Sequence, residues 1–327
     1  MKILVTGARG FIGSLFLEYM TRTDNERGIE DREYVAFHRD TNSWSEKRLA
    51  EVHGDNITYC KGDLTGDISG LCEGVDVVFN FAAKTFVDHS IVDPTAFVQS
   101  NVVGTMRLLE ESRRHNVKAF FQVSTDEVYG QILKGYHSET SPLCPRNPYA
   151  ASKAGADALV LSYAHTYSKM FTCVTRTENN YGVRQHPQKV VPRFVEQALA
   201  DKRLPVYGDG QHVRQWLHVS DHCSALRMLM EKGWYRSMVP SGEVYHVAGK
   251  EELTNLSLAQ MILTILDKPT SMIDFIEDHD IRPGHDKRYA LTCDKIEQAI
   301  GWTPSVTLAA GMRSVVQWYA DNPQWRA

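Results

Sequence analysis

Two short segments hold most of the chemistry this sequence can do. Ser124-Thr125-Asp126-Glu127-Val128-Tyr129-Gly130 sets hydroxyls beside two carboxylates, and Tyr149-Ala150-Ala151-Ser152-Lys153 sets a phenol four residues before an ammonium. Residues four apart on a helix are neighbours, so Tyr149 and Lys153 fall on one face. A free phenol ionises near pH ~10, and a nearby ammonium stabilises the phenolate and lowers that value. The pair reads as a base that takes a hydroxyl proton while hydride leaves the same carbon. Such an oxidation needs a hydroxyl, from Ser124 or Thr125, and the Tyr-Lys pair. Asp126 and Glu127 go beyond it, and supply a general acid and a general base for eliminating water.

A hydride needs an acceptor, and a second group of residues provides for one. Gly7-Ala8-Arg9-Gly10-Phe11-Ile12-Gly13 follows an apolar strand and opens a helix. There a glycine turn lets backbone N–H groups approach a pyrophosphate at a helix N-terminus. The spacing is GxxGxxG rather than GxGxxG. Asp63 and Leu64 follow the third strand, where the carboxylate suits an adenine amine. Ala82 and Ala83 follow the fourth, where small side chains let the backbone pass close to a nucleotide. At the end of the second strand, His38 stands where an acid on the ribose is expected, with Arg39 beside it. Together with Arg9 these bases set NADP slightly ahead of NAD, while Asp40 remains able to reach a ribose.

These residues need strands and helices to hold them. The first half alternates short apolar runs with helical patterns, which predicts parallel βαβ units and an α/β fold. Strands are expected at 2–6, 34–37, 57–61, 75–79, 119–123 and 171–176, and helices at 12–21, 94–115 and 149–167. The charged stretch from Thr21 to Arg32 reads as a solvated loop or frayed helix end. In the second half prolines punctuate strand-like Trp216–Val219 and Val244–Val247 among helical patterns. We expect a dinucleotide-binding domain at 1–176, with segments returning to it near 212–232 and 244–248. Residues 177–211 and 249–327 would form most of a smaller substrate-binding domain.

Composition narrows the function. The 327 residues are 43% hydrophobic and 23% charged, as in ordinary globular proteins. A net charge of −4 gives no support for nucleic-acid binding. No apolar run approaches the roughly 20 residues that span a bilayer, so no membrane partner is expected. Met1 runs straight into Lys2-Ile3-Leu4-Val5, so no signal peptide is expected. The six cysteines lack CxxC or CxxH spacing, so we expect reduced thiols, a cytoplasmic protein and no metal site.

With these motifs in hand, the chain resembles the extended short-chain dehydrogenase/reductase family, and within it the dTDP-glucose 4,6-dehydratases. The likeness runs nearly end to end. It includes the glycine turn, Ser124 to Gly130, Tyr149 to Lys153, Asn179-Asn180-Tyr181-Gly182 and Leu204 to Gly210. It continues through Val213-Arg214-Gln215-Trp216-Leu217 and Arg282-Pro283-Gly284-His285-Asp286. The resemblance implies a Rossmann-type doubly wound parallel sheet with a smaller, mixed α/β substrate-binding domain, and a homodimer. It implies that Tyr149 removes the C4 hydroxyl proton of a hexose, Glu127 the C5 proton, and that Asp126 protonates the departing C6 hydroxyl. Thr125 would hydrogen-bond the C4 oxygen and Lys153 would hold the nicotinamide ribose. The dinucleotide would be tightly bound and regenerated at each turnover.

For the substrate diphosphate the resemblance points to Asn179, Arg214, Asn255, Arg282 and His285, with Asp88, Lys189, Val190 and Tyr207 completing the substrate set. Arginine suits this task because its planar fork matches phosphate oxygens. Two departures bear on specificity. Lys84-Thr85-Phe86-Val87-Asp88-His89-Ser90 replaces the usual Glu-Ser-His-Val-Asp-Arg-Ser, and His38 replaces the ribose-binding acid. The base could thus be thymine or uracil, and the sugar glucose or an N-acetylated relative. The alternatives are a sugar-nucleotide 4-epimerase, which needs the Tyr-Lys pair but not the two acids, and a non-catalytic nucleotide-binding protein.

Overall fold

The computed structural model describes residues 1–39, 43–277 and 286–326. Seven strands form one wholly parallel sheet. They are β1 (Lys2–Thr6), β2 (Glu33–His38), β3 (Ile57–Lys61), β4 (Val77–Asn80), β5 (Ala119–Thr125), β6 (Phe171–Thr177) and, after three strands placed elsewhere, β10 (Glu243–Val247). Their order is β10-β6-β5-β4-β1-β2-β3. Helices cover both faces, so the central strands are continuous apolar runs rather than alternating ones: every residue of β4 and β5 is buried. Phe79 of β4 stacks on Phe121 of β5 at 4.8 Å and meets Phe16 at 4.6 Å.

The order reverses beside β1, because the chain moves outward to β2 and β3 and then returns to β4 on the other side. Open parallel sheets bind ligands in the crevice at such a switch point, at the C-terminal strand ends.

The helices are α1 (Phe11–Glu26), α2 (Ser43–Ala50), α3 (Val87–Val92), α4 (Pro94–Phe97), α5 (Gly104–Arg114) and α6 (Pro148–Thr166). Those of the second half are α7 (Val190–Leu199), α8 (Val219–Met228), α9 (Asn255–Ile265), α10 (Asp294–Ile300) and α11 (Leu308–Asp321). The helix expected over 94–115 is there, but its middle, Val98–Val103, is wound as a π-helix.

One expectation is corrected. The stretch from Thr21 to Arg32 is no solvated loop at its start: α1 runs on to Glu26, and Thr21 and Asp24 are buried. Asp24 receives Arg32 Nη1 at 2.7 Å, Arg227 Nη2 at 2.8 Å and the Tyr34 hydroxyl. Glu231 binds the same two guanidiniums. Buried charge is tolerated only when paired, and the partners of Asp24 lie up to two hundred residues away, outside any local pattern.

The remaining strands are β7 (Asn179–Tyr181), β8 (Leu204–Tyr207), β9 (Val213–His218), β11 (Glu252–Thr254) and β12 (Ile273–Ile276). β9 pairs with β7 and β11, and β12 with β8. A second core forms here, in which Tyr181, Trp216, Phe194, Leu258 and Val315 pack together. α8, by contrast, lies against α1.

Candidate active site

The ends of six parallel strands and the N-termini of α1 and α6 enclose a cleft of about 750 Å³. Its first wall is the glycine turn. Gly7 has φ +66°, and a Cβ there would stand 2.8 Å from the Ala82 nitrogen. A Cβ on Gly13 would stand 2.5 Å from the Gly7 carbonyl oxygen, so only glycine lets α1 begin this close to β1. Gly10 caps α1 in an extended conformation, leaving the first N–H groups of the helix facing the cleft. Arg9, Phe11 and Ile12 line the same wall.

His38, Arg39, Asp63 and Leu64 line the next part, with Ala82 and Ala83 beyond. Arg39 Nη1 donates to Asp63 Oδ2 at 3.1 Å. Asp63 Oδ1 accepts from the Thr65 N–H and hydroxyl. Partial burial pushes the Asp63 carboxyl up, but the Thr65 hydrogen bonds and Arg39 outweigh it and hold it below the usual carboxylate range. The residues fit a nicotinamide dinucleotide: a glycine cradle that any side chain would fill, a helix N-terminus for the pyrophosphate and an acid for the adenosine end.

The reacting residues come from two elements. β5 carries Ser124 and Thr125 to the cleft, and the 3₁₀ turn after it carries Asp126 and Glu127. On α6, Asn147 is the N-cap, its Oδ1 accepting from the Ala150 N–H at 2.8 Å, and Pro148 follows. Tyr149 thus enters on the first turn and Lys153 one turn later. Lys153 Nζ donates to the Val123 carbonyl at 2.6 Å, which anchors it under β5. Ser124, Thr125, Asp126, Glu127, Tyr149 and Lys153 all line the cleft.

Their protonation follows from burial. Asp126 is pushed up to about 7 by burial and by Glu127. Glu127 is also raised by burial, against the Asn147 amide and the charges of Arg214 and Lys189. Lys153 is lowered to about 8 by burial, with Asp157 opposing. Tyr149 differs from the expectation of a lowered phenol: burial and the charge of Glu127 raise it, and the facing Thr125 hydroxyl only partly offsets them.

Among the expected substrate residues, Asn179 and Lys189 line the cleft. Asp88, Val190, Tyr207, Arg214 and Asn255 are not among its described lining residues. Val190 begins α7 and packs on the second core, Tyr207 ends β8, and Asn255 begins α9. Arg214 is buried over the Tyr289 ring at 4.6 Å, donating to the carbonyls of Val213, Asp286 and Lys287. Arg282 and His285, like Asp40, lie outside the described residues.

Three features escaped sequence reasoning. Asn147 Nδ2 donates to Glu127 Oε2 at 3.1 Å, a bond between two elements that no local pattern signals. Glu178 reaches the cleft beside Asp126, with no motif to mark it. Phe86 gathers His89, His186 and Lys189 around its ring, Lys189 Nζ at 4.5 Å, and burial lowers His186 to about 4.

The sheet, the glycine turn and the Tyr149/Lys153 helix are those of an extended short-chain dehydrogenase/reductase. More narrowly, the chain belongs to the GDP-mannose 4,6 dehydratase family, whose model matches residues 4–315. It is 43% identical to a dTDP-glucose 4,6-dehydratase of Actinoplanes sp., over 99% of both chains. The solved dTDP-glucose 4,6-dehydratase DesIV of Streptomyces venezuelae, which holds NAD, superposes with a TM-score of 0.91 at 37% identity, covering 100% of this chain and 99% of that one. A UDP-glucuronic acid 4-epimerase of Bacillus cereus superposes with a TM-score of 0.88 at 26% identity, covering 98% and 99%.

Proposed function

We propose that the protein is a sugar-nucleotide 4,6-dehydratase, acting on a dTDP- or UDP-hexose and most readily on dTDP-glucose. The observation that carries this reading is the convergence of Thr125, Asp126, Glu127, Tyr149 and Lys153 on one cleft with the glycine turn. Tyr149 takes the C4 hydroxyl proton as its phenolate, a form disfavoured by burial and favoured by the Lys153 ammonium one turn along α6, with Thr125 on the C4 oxygen. The new 4-keto group acidifies C5, whose proton Glu127 accepts. Asp126, an acid near neutral pH, protonates the departing C6 hydroxyl. A nicotinamide dinucleotide held at the glycine turn would supply the hydride acceptor and donor, and Glu127 returns a proton to C5 as C6 is reduced, which leaves it ionised for the next turnover.

We propose NAD as that dinucleotide and do not keep the lean toward NADP. Arg39 is paired with Asp63, which leaves it a poorer partner for a 2′-phosphate, and the solved DesIV holds NAD. Lys153 holds the nicotinamide ribose. Asn179 and Lys189 receive the substrate with Asp88, Val190, Tyr207, Arg214 and Asn255, and Arg282 and His285 join them. Residues 1–176, with the segments near 212–232 and 244–248, serve the dinucleotide, and the remainder serves the substrate.

A homodimer formed through α6 and the helix before it is supported by exposed Val98 and Met106, and by Ala151 and Ala158 on the outer face of α6. Among the described residues no helix is long and apolar enough to cross a membrane; we propose a cytoplasmic enzyme.

4-Epimerisation is the second reading, favoured by the Bacillus cereus enzyme's similar fold. It leaves Asp126 and Glu127 without a task. Mass spectrometry of products from a panel of dTDP- and UDP-hexoses separates the two. Loss of one water supports dehydration, and an unchanged mass supports epimerisation. The dinucleotide released on denaturation is expected to be NAD.

A further inference from the structure

Glu178 stands next to the elimination acid by the register of the sheet. Thr125 of β5 is opposite Thr177 of β6, so Asp126 and Glu178 leave adjacent strands at the same level. Neighbouring strands lie about 4.8 Å apart, which brings the two carboxyls within electrostatic reach. Each is 4% exposed, and both line the cleft. One oxygen of each is engaged: Asp126 Oδ1 accepts from the Thr125 hydroxyl at 3.1 Å, and Glu178 Oε1 accepts from the Gly249 N–H. Gly249 makes room for this, since a Cβ there would stand 3.1 Å from Glu178 Oε1 and collide with the Trp216 carbonyl. The other two oxygens, Asp126 Oδ2 and Glu178 Oε2, are buried with no hydrogen-bond partner among the described residues. Two orphaned acceptors in one dry site call for a proton.

We propose that Glu178 and Asp126 form a carboxyl pair that shares one proton, Glu178 being the positioning residue that keeps Asp126 able to act as the elimination acid. This rests on the dehydration reading above. Two carboxylates in a desolvated site cannot both ionise freely, and the shared proton belongs to the pair. Burial raises Glu178 well above the carboxylate range, and the charges of Asp126 and Glu252 add to it. The groups facing the pair are Glu127 and Tyr149 in the cleft, Arg214 from β9, Glu252 from β11 and Cys293 before α10.

The proton balance closes within the site. As the C6–O bond breaks, the O–H bond of Asp126 breaks with it, water leaves, and Asp126 remains a carboxylate. The C4 hydroxyl proton, taken earlier by Tyr149, restores the pair through Thr125, whose hydroxyl faces the phenol and donates to Asp126.

The test is the pH profile of keto-sugar formation from dTDP-glucose by the full-length wild type, Glu178→Gln and Glu178→Asp. The amide keeps an oxygen for the Gly249 N–H but cannot share a proton. A lone Asp126 gives up its proton at lower pH than a pair losing its last one. The alkaline limb of kcat in Glu178→Gln is therefore expected to move about one unit toward lower pH, with KM within about twofold, and Glu178→Asp is expected to move it back. A limb that superimposes on the wild type, or a loss equal at every pH, overturns the pair. Should the amide variant fail to fold, infrared titration of the wild type decides. A protonated carboxyl band persisting above pH 7 and altered in Asp126→Asn supports the pair, and its absence overturns it. A wild type that forms no keto sugar overturns the dehydration reading itself, whereas a dehydrating wild type with an unshifted Glu178→Gln overturns this inference alone.

Discussion

Asn147 ties Glu127 to the helix that carries Tyr149. Its Nδ2 donates to Glu127 Oε2 at 3.1 Å, while its Oδ1 caps α6 through the Ala150 N–H at 2.8 Å. One side chain thereby sets the distance between the base of the elimination and the base of the oxidation. Those two groups arrive on separate elements, and the sixteen residues 131–146 between Gly130 and Asn147 would otherwise leave their separation to packing alone.

Replacing Asn147 with Ala removes both bonds. Loss of the cap is expected to cost about 1 kcal/mol of stability, read as a lower melting temperature. Misplacement of Glu127 is expected to slow dehydration by about ten- to a hundred-fold with little change in KM. Solvent deuterium entry at C5 should fall in parallel with kcat. A variant that loses the stability but keeps full C5 exchange would show that Asn147 only caps.

Asp126 gives a pH dependence of stability with a definite sign. Its carboxyl is raised from 3.8 to about 7 in the folded state by burial and Glu127. The unfolded chain therefore releases this proton first. The contribution of Asp126 to stability is full below about pH 4 and is lost as the pH rises toward 7. Asp126→Asn, which cannot ionise, is expected to melt at a higher temperature than the wild type at pH 8, with the gain shrinking at pH 5. It is also expected to be inactive in dehydration. Equal melting temperatures at both pH values would contradict the raised carboxyl.

Asp24 serves the fold and not the site. It is fully buried and faces Arg32, Arg227 and the Tyr34 hydroxyl. Asp24→Asn leaves the Arg32 and Arg227 guanidiniums with Glu231 as their one remaining carboxylate among the described residues. Breaking a buried pair in this way costs about 3–5 kcal/mol, so the variant is expected to unfold at markedly lower denaturant concentration. An unchanged midpoint would mean that Glu231 alone suffices for both arginines.

The sheet was legible because parallel strands buried on both faces are continuous apolar runs. Ile3 to Val5 and Val77 to Phe79 announce themselves without any partner in view. The catalytic segments were legible because their chemistry is local: Tyr149 and Lys153 share one helix, and Asp126 and Glu127 share one turn. What escaped were relations made by the third dimension. Asp24 looked solvated because its arginine partners lie on β2's approach and on α8. Glu178 looked like any polar residue after a strand until the register set it beside Asp126. The lowered phenol expected at Tyr149 failed for the same reason, since burial depends on everything packed around the cleft and not on the Lys153 four residues away.

The most direct measurement follows the hydrogen on C4. dTDP-glucose carrying deuterium at C4 is incubated with the enzyme, and the product is examined by mass spectrometry and NMR. The account expects a 4-keto product lighter by one water, with the deuterium on C6 and no net reduction of the dinucleotide. A product of unchanged mass with deuterium still on C4 would contradict it and leave the Tyr149/Lys153 pair serving epimerisation.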